Sequence, residues 1–327
     1  MGTDSKLVEV VRGGLVESVH RGHAVICDGA GEVVEAWGDS EAVIFPRSSC
    51  KMIQALPLLE SGAGRDLTTR HLALSCASHR GQSIHTDLAE SWLRDMGMGD
   101  DDLRCGAHMP YSEEAQADLI RAGEGPCQVH NNCSGKHCGF LMVNRRIGGD
   151  PDYVEMDHPV QRGVRTTFEE VTGTEVRAMG IDGCSAPTPA TPIAAFAGAM
   201  GRFARAREGG DRRADAMARL RGAMALHPEL VAGPGRACTE LMRAAGKGAA
   251  VKTGAEAVYV AILPELDRGI VVKITDGTTR ASEAVIAALL ARVGAINPQA
   301  PIVRSLTEGP IRNVRGLVTG QMTVTLG

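Results

Sequence analysis

Alternation dominates the start of the chain. In LVEVVRGGLVESVHRGHAVICDGAGEVVEAWG, residues 7–38, β-branched positions alternate with polar ones and are broken at Arg12-Gly13-Gly14 and Asp28-Gly29-Ala30-Gly31. That pattern predicts antiparallel strands joined by tight turns. From Ser48 to Ser61 the period changes: Met52, Ile53, Leu56 and Leu59 recur at helical spacing, predicting a partly buried helix. From about residue 65 to about 250 helical patterns prevail, as in QSIHTDLAESWLRDMG, HPVQRGVRTTFEEVTG and RRADAMARLRGAMALHP, each ending near a Gly or before a Pro. Between them HNNCSGKHCGF and GIDGCSAPTPA are dense in polar and sulfur groups and read as loops.

Strand patterning returns in VKTGAEAVYVAILPELDRGIVVKITDG, with LPELDRG as the turn, and TRASEAVIAALLARVGA reads as a closing helix. The tail RNVRGLVTGQMTVTL adds a further strand or a covering segment. The order of strands, helical middle, strands and helix predicts an α+β fold in which both ends of the chain build one antiparallel sheet. The sheet is expected from about residues 6–45 and 250–290, with a helical lobe at about 65–250 and a cleft between them, all within one integrated catalytic domain spanning 1–327.

Composition narrows the function. The formal net charge of -4 and 3% aromatic content give neither an electrostatic footprint nor stacking platforms for nucleic acid. No stretch approaches the roughly 20 apolar residues of a membrane span, and the start lacks a signal-peptide pattern, so a cytoplasmic protein is expected. The nine cysteines are an odd number, which favours free thiols, with a metal site among them, over a disulfide framework.

Chemistry concentrates at PRSSCKMIQALP, residues 46–57. Helical residues three apart share a face, so Lys51 lies over Ser48 rather than Ser49, giving an S-x-x-K arrangement at a helix start. A serine hydroxyl needs a neighbouring base, and an ordinary lysine, with a pKa near 10.4, is neutral to only roughly one part in 2,500 at pH 7. A helix N-terminus and a second cation both increase that fraction. Lys252-Thr253-Gly254, directly before AVYVAIL, supplies such a cation in a K-T-G placed as in serine β-lactamases and penicillin-binding proteins. Each motif alone also reads blandly, as a helix cap and as a strand-entry turn.

The loop HNNCSGKHCG, residues 130–139, holds two thiols, two imidazoles and an amine, soft donors suited to zinc in no ordinary finger spacing. With P-R-S-S-C-K, C-A-S-H, N-N-C-S-G-K-H, D-H-P-V-Q, I-D-G-C-S-A-P and K-T-G-A-E, in that order from residue 46 to 256, the chain resembles the Rhizobium-type, third structural class of L-asparaginases. The resemblance implies a serine β-lactamase and glutaminase-like fold, a homodimer, and hydrolysis of L-asparagine to aspartate and ammonia. It implies two serine–lysine tandems, Ser48 with Lys51 and Ser78 with Lys252, with Ser48 as nucleophile. It further implies Zn2+ held by Cys133, Lys136 and Cys184, with His137 and Asp182 completing the site, Asp182 receiving the substrate's α-ammonium, and Arg47 ordering the serine–lysine network.

Three other readings compete. Glutamine differs from asparagine by one methylene, worth only about 1–3 kcal/mol in a pocket. A cell-wall peptidase or β-lactamase predicts export and acylation by penicillin. A non-catalytic zinc-binding relative predicts metal binding without ammonia release.

Overall fold

The computed structural model describes residues 3–326. Among them eleven strands follow in chain order: β1 Ser5–Arg12, β2 Leu15–Asp28, β3 Val33–Trp37, β4 Val43–Ile44, β5 Ala178–Ile181, β6 Pro187–Pro192, β7 Ala250–Gly254, β8 Val258–Leu263, β9 Arg268–Ile274, β10 Pro310–Arg312 and β11 Val318–Val324. The chain divides into two compact units, residues 1–49, 191–205 and 240–327 in the first, residues 50–190 and 206–239 in the second.

The first unit is built on one antiparallel sheet in the order β10-β11-β1-β2-β9-β8-β7, with β3 beside β2. Both ends of the chain therefore contribute to it, as the strand patterns at either end predict. Gly13 and Gly14, both at positive φ, close the β1–β2 hairpin, a conformation that glycine adopts without a Cβ penalty. Every residue of β8, VYVAIL, is buried, so both its faces are covered; the helices Ile193–Arg205 and Thr279–Arg292 pack against it. Burying a side chain such as Val260 or Ile262 contributes about 1.5–3 kcal/mol each. Close seating of the first helix needs small residues: a Cβ on Gly198 would meet the Gly31 carbonyl oxygen at 3.2 Å, and one on Gly201 would meet the Asp28 carbonyl carbon at 2.9 Å. K-T-G forms its own strand, β7, paired antiparallel with β8 through Lys252 opposite Val260, rather than simply preceding it.

The second unit is mainly helical. Its most enclosed element is Ser134–Ile147, buried from Ser134 through Leu141 and again at Val143 and Asn144. This corrects the reading of HNNCSGKHCGF as a loop: from Ser134 onward the segment is helix. Its sulfur and polar side chains are buried on all sides, so the one-sided stripe by which an amphipathic helix is recognised is missing. The helix expected over Ser48–Ser61 is interrupted. A 3-10 turn at Arg47–Cys50 leads into Lys51–Gln54, and a second helix runs from Leu56 to Glu60. Pro57 has no N–H to give the Ile53 carbonyl, which breaks the ladder at Ala55. GIDGCSAPTPA is likewise not wholly loop, since β5 pairs antiparallel with β6, Ile181 opposite Pro187. Among the described residues no helix is long and apolar enough to cross a membrane.

Candidate active site

In the first unit, Pro46 to Ser49 form a tight turn. The Pro46 carbonyl accepts both the Ser49 N–H at 3.2 Å and the Ser49 hydroxyl at 2.7 Å. Ser49 is thereby buried and committed, whereas Ser48 is partly exposed. Arg47 holds φ at 53°, a left-handed conformation that costs a non-glycine residue about 1–2 kcal/mol. The turn rests on β7: a Cβ on Gly254 would lie 2.6 Å from the Pro46 oxygen and 2.9 Å from the Ser49 nitrogen. Lys252, two residues earlier, is fully buried, and its Nζ donates to the Thr253 carbonyl at 2.5 Å.

The second unit carries Lys51, Ser78, Cys133, Lys136, His137, Asp182 and Cys184. Lys51 is 1% exposed. Its Nζ meets the Ala77 carbonyl, the Ser78 hydroxyl at 3.1 Å and the Asn132 carbonyl at 3.3 Å. Within this unit the serine that Lys51 reaches is therefore Ser78. The Ser78 backbone N–H is already given to the Val231 carbonyl at 2.9 Å.

Cys133, Lys136 and Cys184 converge. Lys136 Nζ lies 3.1 Å from Cys184 Sγ, and the two thiols hydrogen-bond each other. The pair shares one proton. The hydrogen bond from Cys133 and the Lys136 charge hold the Cys184 thiol well below its ordinary range, while that bond and burial push Cys133 up to about 12. Burial works to lower the Lys136 pKa, but the Cys184 and Cys133 sulfurs outweigh it and raise it. The resting arrangement is thus a buried ammonium–thiolate pair beside a neutral thiol. Among the described residues no group of three or more His, Cys, Asp and Glu side chains could hold a metal. Two sulfurs and an amine here nevertheless make a donor set that fits zinc, provided the amine and the Cys133 thiol give up their protons.

His137 is fully buried. Its Nδ1 hydrogen-bonds the Tyr153 hydroxyl at 2.9 Å, while its Nε2 has no partner among the described residues. Burial and the Lys136 charge hold it well below the usual histidine range, so it is neutral. Asp182 stands at the turn carrying Cys184; its carboxylate accepts the Gly183 N–H at 2.8 Å and bears electrostatically on Lys136.

Sequence reasoning passed over Asn132, His79 and Ser134. The Asn132 carbonyl receives Lys51 Nζ and the His79 N–H, and its side-chain oxygen faces Cys133 Sγ at 3.4 Å, so one residue touches both the serine–lysine pair and the sulfur cluster. The C-A-S-H and N-N-C-S-G-K-H motifs contain these residues, but no spacing rule reveals that the Asn132 main-chain carbonyl is used or that His79 reaches Ser134.

Among solved structures the chain is similar to a β-lactamase from Mycobacterium bovis, at 15% identity over 83% of this chain and 94% of that one, with a TM-score of 0.47. It is also similar to a mutant simvastatin synthase from Aspergillus terreus, at 10% identity over 84% and 93%, TM-score 0.44. An octameric penicillin-binding protein homologue from Pyrococcus abyssi matches at 12% identity over 90% and 80%, TM-score 0.39. None of the curated protein sequences matches. The family model described as L-asparaginase II matches residues 8–324, nearly the whole chain, and the protein accordingly belongs to the L-asparaginase II family of amidohydrolases.

Proposed function

We propose that this amidohydrolase converts L-asparagine to L-aspartate and ammonia at a serine–lysine centre beside a zinc site. The observation that carries the reading is the environment of Lys51. A neutral amine has two N–H groups and one lone pair. Carbonyl oxygens only accept, so those of Ala77 and Asn132 take the two N–H groups, and the lone pair is left for a hydroxyl. The protonated amine finds acceptors for all three of its N–H groups in the same pocket, at these two carbonyls and the Ser78 hydroxyl, so the site can hold both the base and its conjugate acid.

In the mechanism, Ser48 Oγ attacks the side-chain amide carbon as its proton passes to Lys51 Nζ. The protonated amine then gives that proton to the departing nitrogen, the C–N bond breaks and ammonia leaves. Water cleaves the resulting ester with the same base, releasing aspartate. Ser78, whose hydroxyl lies 3.1 Å from Nζ, orients the amine. Commitment of the Ser78 N–H to Val231 favours Ser48 as nucleophile, because an oxyanion hole commonly uses the nucleophile's own N–H. Zinc, when bound by Cys133, Lys136 and Cys184, supplies a fixed positive charge that orients the substrate. Asp182 takes the substrate's α-ammonium and Arg47 orders the turn that carries Ser48. The resemblance extends the proposal to a homodimer.

One specific contact supports a second reading, in which Ser78, the serine at the Lys51 amine, is itself acylated. Rapid quenching during turnover of L-asparagine, followed by peptide mass spectrometry, separates the two. A mass increase on the peptide with Ser48 supports the first reading, an increase on Ser78 the second, and rapid turnover without any ester defeats both.

A further inference from the structure

Lys51 owes its orientation to two carbonyls from separate segments: Ala77 follows the helix Thr69–Ser75, and Asn132 precedes the helix Ser134–Ile147. If the segments drift apart, the amine loses one acceptor and its lone pair turns away from the serine hydroxyl. Something must hold them in register.

The geometry points to His79, and we propose that with Ser134 it is a positioning clamp for the Lys51 base. This rests on the reading of Lys51 given above. His79 is 1% exposed and bonds the opposite segment twice. Its main-chain N–H donates to the Asn132 carbonyl at 3.2 Å, and its Nε2 lies 2.9 Å from the Ser134 hydroxyl. The Gly81 N–H donates to His79 Nδ1 at 3.1 Å, so Nδ1 must be unprotonated and Nε2 carries the hydrogen that Ser134 accepts. The ring stacks on His85 at 4.8 Å and 11° between planes, and His85 Nε2 donates in turn to the Glu229 carbonyl at 3.0 Å. Burial above all holds His79 well below the usual histidine range, so the ring stays neutral and the Gly81 N–H selects its tautomer.

The carbonyl that His79 N–H grips is the one that Lys51 Nζ uses, so the clamp acts one atom from the base. His79 reaches neither a reacting atom nor the sulfurs and acts only through the segment it fixes. Ser134 lies next to Cys133, so a test must separate loss of orientation from damage to the sulfur cluster.

The experiment measures kcat and KM for ammonia release from L-asparagine in the full chain carrying Ser134→Ala, Ser134→Thr, His79→Gln, the double variant Ser134→Ala with His79→Gln, and Lys51→Met. Bound zinc, released to a chromophoric chelator, and thermal midpoint are read for each. The clamp predicts that Ser134→Ala lowers kcat about 10- to 100-fold with KM within twofold and zinc content unchanged. Ser134→Thr, which keeps the hydroxyl, recovers most of the rate, and the double variant falls no further than the worse single one. A Ser134→Ala enzyme with full kcat overturns the proposal, as does a loss that tracks zinc content or thermal midpoint. If His79→Gln does not fold, the two Ser134 variants decide. Full activity in Lys51→Met rejects the base assignment itself, whereas an inactive Lys51→Met beside fully active Ser134→Ala rejects the clamp alone.

Discussion

Gly135 lies between Cys133, just before the helix Ser134–Ile147, and Lys136 within it, and its lack of a side chain is a structural requirement. A Cβ built there would stand 2.5 Å from Leu74 Cγ and 2.8 Å from the Leu74 carbonyl carbon, against 3.4–4 Å for ordinary contact. The side chain could rotate away but the backbone carbonyl cannot, so the helices must separate by roughly 1 Å. In Gly135→Ala, helix propensity contributes about 1 kcal/mol in favour of alanine, and overpacking costs about 1–3 kcal/mol or more. The backbone contact places this site at the costly end, and a net loss of about 2 kcal/mol is expected. Activity should fall further than stability, because the displaced helix follows directly on Asn132, and a shift of about 1 Å at a catalytic group costs on the order of 100-fold in rate. Urea unfolding and kcat for ammonia release measure the two effects. Gly139→Ala is the internal control: its Cβ would meet Leu58 at 3.4 Å and Ser75 at 3.8 Å, ordinary contacts, so that variant should be neutral or slightly stabilised. A Gly135→Ala protein with unchanged midpoint and kcat would refute the packing argument, as would equal damage from both substitutions.

Lys51→Met should lower kcat by about 1,000-fold or more while the protein still folds, checked by ammonia release and circular dichroism, since the proposed base is lost and a similar volume is kept. Zinc binding should expel about two protons, one from Cys133 and one from Lys136, because both pKa values are raised and Cys184 already rests as a thiolate. Apparent affinity then rises about 100-fold per pH unit until the proton of either group is lost without metal; calorimetry in buffers of different ionisation enthalpy counts the protons, and a count of zero contradicts the assignment. Arg213→Ala should cost about 1 kcal/mol and less at high salt, because its guanidinium bridges Glu60 and Glu170 at a site 30% exposed. Denaturant midpoints at two ionic strengths test this.

The sheet was legible because its strands obey a local rule. Alternation with glycine turns marks β1 and β2, and a continuous apolar run marks β8, enclosed on both faces. The first two turns of Ser134–Ile147 escaped because burial from Ser134 through Leu141 erases the polar face that gives a helix its period. The break at Ala55 was signalled by Pro57, yet the apolar period runs across it and concealed it. At the candidate site, side chains with distinctive chemistry, Ser48, Lys51, Cys133, Lys136 and Cys184, stand out in the sequence. The groups that orient them do not, since the Ala77 and Asn132 carbonyls are main-chain atoms that every residue possesses. Their use depends on which segments fold together.

The central claim is amide hydrolysis through an acylated serine served by Lys51. Ammonia release from L-asparagine and L-glutamine by the purified chain, beside Ser48→Ala, tests it most directly. Release from asparagine, lost in the variant while its fold and zinc content persist, is the predicted result. Undiminished release by Ser48→Ala would contradict the nucleophile, and no release from either amide by the folded, zinc-loaded chain would contradict the activity.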